Sequence, residues 1–151
     1  MSHPQTDMTR HFIAALAFRF RHAVKGAPMG FGDFQAGGEV RTPNVTVQHM
    51  TGLLLFVHHR FTPFELQKPP ALPWDEEVER FLDVLALVDD DFAKEKPLRL
   101  GEQGLEQLLQ GPLMDALTHV GQLATLRRLA GSPVPRVSYL SADIRIGKLD
   151  G

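Results

Sequence analysis

Four stretches of the chain repeat apolar residues at helical spacing, and glycine- or proline-rich segments separate them. The third stretch shows the pattern most clearly, because apolar residues recur every three or four positions from Val78 to Phe92. Alternation of the kind that predicts strands is confined to two short runs near the C-terminus, 136–140 and 143–146. The chain is therefore predicted to be all-α.

The helix boundaries follow from residues that start and end helices. Thr42 before Pro43 is a typical helix start, and Gly131 is typical of a residue just beyond a helix end. The predicted helices span about residues 9–25, 43–61, 74–94 and 102–130, followed by a tail over 131–151. Pro112 permits a kink or a fresh start in the fourth helix. Long helices joined by loops predict a single domain over residues 1–151, an antiparallel four-helix bundle.

Composition narrows the class of protein. A chain of 151 residues with a formal net charge of −2 has no basic surface that would favour nucleic acid or a membrane. Apolar runs such as Leu53 to Val57 are far too short to span a bilayer, and we expect a cytoplasmic protein. Cysteine is absent, so any metal must be held by nitrogen and oxygen.

The fourth helix carries the main candidate site. Between Pro112 and Leu126 the only ionisable side chains are Asp115 and His119. Residues four apart lie on one helix face, with Cβ atoms about 5–6 Å apart. One interpretation is separate roles, a first-turn carboxylate and a core histidine bonded to a carbonyl. The other, which we favour, is a pair of ligands for a divalent metal, because a buried unpaired charge is unfavourable.

The second helix supplies the best third ligand. His49 shares a face with Leu53 and Phe56 and is expected to point into the bundle, although a buried histidine satisfied by protein alone stays an alternative. His58 and His59 lie near the C-terminal end of the same helix, where the helix dipole stabilises a cationic imidazole. We therefore expect them to be solvated rather than to bind a metal.

Three more residues of the fourth helix need a reason. Gly121 weakens a helix, and close approach of another helix explains it better than room for a ligand. Gln122 either supports the metal site or makes an ordinary helix-surface or interhelical hydrogen bond. Arg127 is sufficiently explained by the favourable place of cations in a last turn.

Two runs together resemble the DinB/YfiT superfamily, VQHMTGLLLFVHHRF in the second helix and THVGQLATLRRLAG in the fourth. The resemblance covers about residues 9–131. Members are four-helix bundles in which three histidines hold a metal, one from the second helix and two from an H-x-x-x-H-x-G-Q motif in the last. His49 and His119 match two of these ligands. Asp115 stands where the first histidine of the motif is expected.

The resemblance implies a metal site of two histidines and one carboxylate. This donor set suits zinc, nickel, iron or manganese better than copper(I), and three protein ligands leave positions open for water or substrate. The reaction implied first is transfer of a low-molecular-weight thiol, such as bacillithiol or mycothiol, to a small electrophilic substrate. Metal-assisted hydrolysis comes second, and a homodimer is also implied.

Two further expectations concern function. The glycine-rich loop over 26–38, with Phe31 and Phe34, is expected to border the substrate pocket. The alternative to an enzyme is a stress-associated protein that binds a metal or a partner without turnover, because a fold alone does not determine function.

Overall fold

The computed structural model describes residues 3–99 and 104–150. Its helices are α1 (Pro4–Val24), α2 (Pro43–His59), α3 (Trp74–Ala93), α4 (Leu105–Leu108) and α5 (Met114–Leu129), with a short 3-10 turn at Phe31–Asp33 and a π-helical turn at Leu109–Leu113. Neither described range contains a strand. The all-α prediction is confirmed.

The helix starts are set by side chains that accept from free backbone N–H groups. α1 begins at Pro4 rather than near Thr9, because the His3 ring accepts from the Gln5 N–H at 3.3 Å and Pro4 needs no N–H partner. α2 begins at Pro43 as predicted, with the Thr42 hydroxyl accepting from the Val45 N–H. The ends of α2 and α3 lie within two residues of the predicted positions.

The predicted fourth helix is interrupted. A π-helical turn separates α4 from α5 and contains Pro112. Proline has no N–H to donate and its ring crowds the preceding turn, so the regular i to i−4 ladder cannot continue through it. The predicted start at 102 lies outside the described residues.

The four long helices pack into a helical bundle around one core. α1 and α2 each contact both α3 and α5. The largest apolar side chains of the core are fully buried: Ile13, Leu16, Phe20, Met50, Leu54, Phe81, Leu85, Leu108, Leu113 and Leu123. No helix in the described residues is long and apolar enough to cross a membrane.

The tail folds back on α1 without forming strands. Tyr139 contacts Phe18 and His22 edge-on at ring-centre distances of 6.2 Å, and the Arg19 guanidinium lies 3.8 Å above its ring. His22 Nε2 also lies 2.6 Å from the Pro135 carbonyl oxygen. Tyr139 therefore anchors the tail on α1, and the strand-like alternation of the tail forms no strand in the described residues.

Arg127 is an interior residue, which its position in a last turn does not predict. Only 3% of it is exposed. Its guanidinium donates to the carbonyl oxygens of Ala23, Lys25 and Gly26 at 2.9–3.3 Å and to the Ser132 carbonyl at 2.9 Å. Burial lowers the pKa of this guanidinium. Arg127 thus ties the end of α1 to the end of α5 by satisfying helix-terminal carbonyls.

His58 does not have the solvated role that its position predicts. Its Nδ1 lies 2.5 Å from the Asp91 carboxylate, which is completely buried, and Lys96 Nζ lies 2.6 Å from the other carboxylate oxygen. A buried carboxylate is unfavourable without partners, and the His58 imidazole and the Lys96 ammonium provide them for Asp91. His59 packs edge-on against Phe64 instead.

Candidate metal centre

Three predicted ligands from two helices meet at one point. His49 projects from α2, whereas Asp115 and His119 project from adjacent turns of α5. The Asp115 carboxylate lies 3.7 Å from His49 Nε2 and 3.5 Å from His119 Nε2. The two imidazole rings are nearly perpendicular, with centres 4.8 Å apart. All three potential ligand atoms lie within 4.8 Å of one another.

This spacing fits a divalent cation. Ligand bonds of 2.0–2.2 Å place tetrahedral ligands about 3.3–3.6 Å apart. The distances of 3.7 and 3.5 Å, one from each Asp115 carboxylate oxygen, are close to that range. The group could therefore hold a metal ion through two nitrogens and one oxygen. The His119 side chain is 10% exposed, against 37% for His49 and 46% for Asp115, so the site opens to solvent on the Asp115 side.

The orientation of His119 depends on Gln122. His119 Nδ1 lies 2.7 Å from Gln122 Oε1, and because an amide oxygen can only accept, Nδ1 carries the proton. The Nε2 lone pair is then free and faces Asp115 and His49. Of the two roles left open for Gln122, this contact supports the one at the metal site.

His49 is suited to act as a neutral ligand. Burial lowers its pKa most, and the nearby His119 and Arg41 lower it further, whereas Asp115 acts in the opposite direction. A neutral imidazole is the form that binds metals. Arg41 is a residue that sequence reasoning does not single out. The only sequence signal for it is its place directly before the Thr42–Pro43 helix start.

Two cavities flank the three ligands. A groove of about 620 Å³ runs beside α5 and is lined by His119, Gly121 and Gln122, with residues 36 and 39–41 on the opposite side. A second cavity of about 330 Å³ is lined by His49, Arg41 and Lys68. Each cavity is lined by one imidazole of the candidate site, and Arg41 lines both cavities, so small molecules can reach either histidine.

The structure corrects two expectations about this neighbourhood. Gly121 is exposed, and a Cβ built there meets no described heavy atom within 4 Å, so close helix packing does not explain it. Phe31 is buried and packs edge-on against Trp74 at 5.3 Å. The groove is bordered by the later part of the glycine-rich loop and by Arg41, and neither Phe31 nor Phe34 lines it.

Comparison of the chain with protein-family models, with curated proteins and with solved structures gives no match in any of the three. The resemblance to the DinB/YfiT superfamily therefore stays a prediction from the residues around His49 and His119. The geometry of the three ligands stands independently of it.

Proposed function

We propose that the chain is a divalent-metal-dependent enzyme of the DinB/YfiT type, an antiparallel four-helix bundle in which His49, Asp115 and His119 hold the ion. One observation carries the proposal: two imidazole nitrogens and a carboxylate oxygen from separate helices converge within 4.8 Å. A divalent cation fits this convergence, because neutral imidazole nitrogens and a carboxylate oxygen are all lone-pair donors that bind such an ion.

Each residue of the proposed metal site has a separate role. His119 is held in one tautomer by Gln122, and His49 is kept neutral by its surroundings. Asp115 adds one negative charge, which favours zinc, nickel, iron or manganese over copper(I). A bound divalent cation would lower the pKa of a water or thiol that coordinates to it.

The reaction proposed first is transfer of a low-molecular-weight thiol to a small electrophile. The two cavities, of about 620 and 330 Å³, border on His119 and His49 respectively and together provide space for two reactants near the site. Metal-assisted hydrolysis is the second candidate, since it needs the same cation and only one organic substrate. A non-catalytic metal-binding protein is the alternative outside enzymes. A homodimer and a cytoplasmic location complete the proposal.

Metal retention tests the first step. Elemental analysis of the native protein is expected to find one divalent ion per chain, and His49→Ala is expected to lose it. His59→Ala is the matched control, because His59 lies on the same helix and packs against Phe64 instead. Equal metal content in both variants, or no metal binding at micromolar concentration, would reject the site.

Conjugation of monochlorobimane with a series of thiols tests the second step. We expect turnover with one thiol class that disappears on chelation and in His49→Ala. Metal retention without conjugation or hydrolysis would favour the non-catalytic alternative. Sedimentation equilibrium of the same preparation measures whether the chain forms a dimer.

A further inference from the structure

The groove beside His119 changes character along its length. Its α5 wall runs from Thr118 to Leu129, which corresponds to about 16 Å at the helical rise. Thr118, His119 and Gln122 make the end near the metal ligands polar. Leu126 and Leu129 make the other end apolar. Along this wall the side chains become more apolar with distance from His119, although Thr125 lies between Gln122 and the two leucines and the charged Glu39 and Arg41 also line the groove.

Gly121 keeps the middle of the groove open. It lies inside α5, where glycine weakens a helix, and no neighbouring helix approaches it. A side chain at this position would enter the groove, because Gly121 is one of its lining residues. Space for a ligand is thus the remaining structural reason for glycine here.

The far end of the groove exposes apolar surface. Leu129 is 62% exposed, and Val40, which also lines the groove, is 55% exposed. Exposed apolar residues that line one groove are typical of a site that binds an apolar part of a ligand. Leu126 lies beneath them and is 4% exposed, so the apolar end continues into the interior of the bundle.

We propose that the substrate of this site is amphipathic, with a metal-coordinating polar head beside His119 and an extended apolar body that lies along α5 over Gly121 toward Leu129. This inference rests on the proposed metal site and adds the substrate class. The apolar body would cover Val40 and Leu129, while the polar head would meet His119 and Gln122. The binding free energy then becomes more favourable with every apolar group that is removed from water.

Alkyl hydroxamates are suitable probes, because their heads chelate metals and their chains vary. Titration of the zinc-loaded protein with acetohydroxamate, butanohydroxamate and octanohydroxamate is expected to show affinity rising about two- to fourfold per added CH₂ group. Metal content is measured in the same samples by elemental analysis.

Gly121→Leu tests the location of the chain. It should weaken octanohydroxamate binding by about tenfold or more relative to acetohydroxamate binding by the same zinc-loaded variant, the equivalent of two to three buried CH₂ groups. Gly111→Leu is the matched control. Gly111 precedes α5, lies outside the groove and also has no described atom within 4 Å of a built Cβ.

These experiments distinguish failure of the proposed metal site from failure of the substrate inference. Failure to bind zinc would reject the proposed function, and this inference with it. Zinc binding without dependence on chain length, or equal effects of the two leucine variants, would overturn this inference alone. If Gly121→Leu alters sedimentation from dimer to monomer and leaves hydroxamate binding unchanged, a second copy of the chain covers the groove and the inference is wrong.

Discussion

Replacing Gln122 by leucine removes the acceptor of the His119 Nδ1–H. The hydrogen bond spans 2.7 Å and fixes which ring nitrogen faces Asp115 and His49. Gln122 itself is exposed, so its loss leaves no cavity in the core. We therefore expect a change in metal affinity with stability within about 0.5 kcal/mol of the parent protein.

The size of the effect follows from the surroundings of the bond. Removing such a partner of a ligating histidine weakens metal binding by about 10- to 100-fold. The His119 ring is 8% exposed, which favours a large effect. However, Gln122 lies on the open groove, where water can accept the proton in its place. We expect the lower part of the range, about tenfold or about 1.4 kcal/mol.

Competition with a chromophoric zinc chelator measures this affinity. Gln122→Glu is the matched control, because it keeps an acceptor of the same length, and its zinc affinity should equal or exceed that of the parent. A Gln122→Leu protein that binds zinc as tightly as the parent would refute the orienting role. A similar loss in both variants would assign the effect to the groove rather than to the hydrogen bond.

Three further perturbations have defined outcomes. Arg127→Met leaves the buried Ala23 carbonyl and three partly buried carbonyls without this donor and should lower the free energy of unfolding by about 2 kcal/mol in urea denaturation; a loss below about 0.5 kcal/mol would contradict the stabilising role of these bonds. Because the folded state lowers the pKa of His49, the metal-free protein should lose stability as the pH falls below about 6.5, and His49→Gln should flatten that profile in thermal unfolding. Asp115→His removes a negative charge and should weaken manganese binding while strengthening copper(I) binding in chelator competition; an unchanged preference would show that Asp115 is not a ligand.

Local signals were sufficient for the bounds of α2 and α3 and for predicting that His49, Asp115 and His119 lie close together; their binding of a metal stays a prediction. Pro43 after Thr42 predicted the start of α2, and the isolated pair of Asp115 and His119 predicted a shared face of α5. The place of His49 in the apolar stripe of α2 predicted that it faces the same point. These predictions succeeded because each depends on spacing within one helix.

The errors concern contacts between distant segments. His58 was assigned to solvent because its partner, the buried Asp91, belongs to another helix. The pattern around Arg127 gives no sign of the carbonyls at the end of α1. Gly121 was assigned to packing, because a sequence does not say whether a second helix approaches a glycine or leaves it open. Tertiary contacts of this kind require the packed bundle.

The bond from Arg127 to Ala23 joins positions 104 residues apart. During synthesis the carbonyls at the end of α1 therefore remain hydrated until Arg127 has left the ribosome. The candidate ligands are divided in the same way, since His49 emerges long before Asp115 and His119. Long-range contacts give no stabilisation until the chain between them is closed. The carbonyls at the end of α1 and the candidate metal site thus both wait for α5, which supplies Arg127, Asp115 and His119.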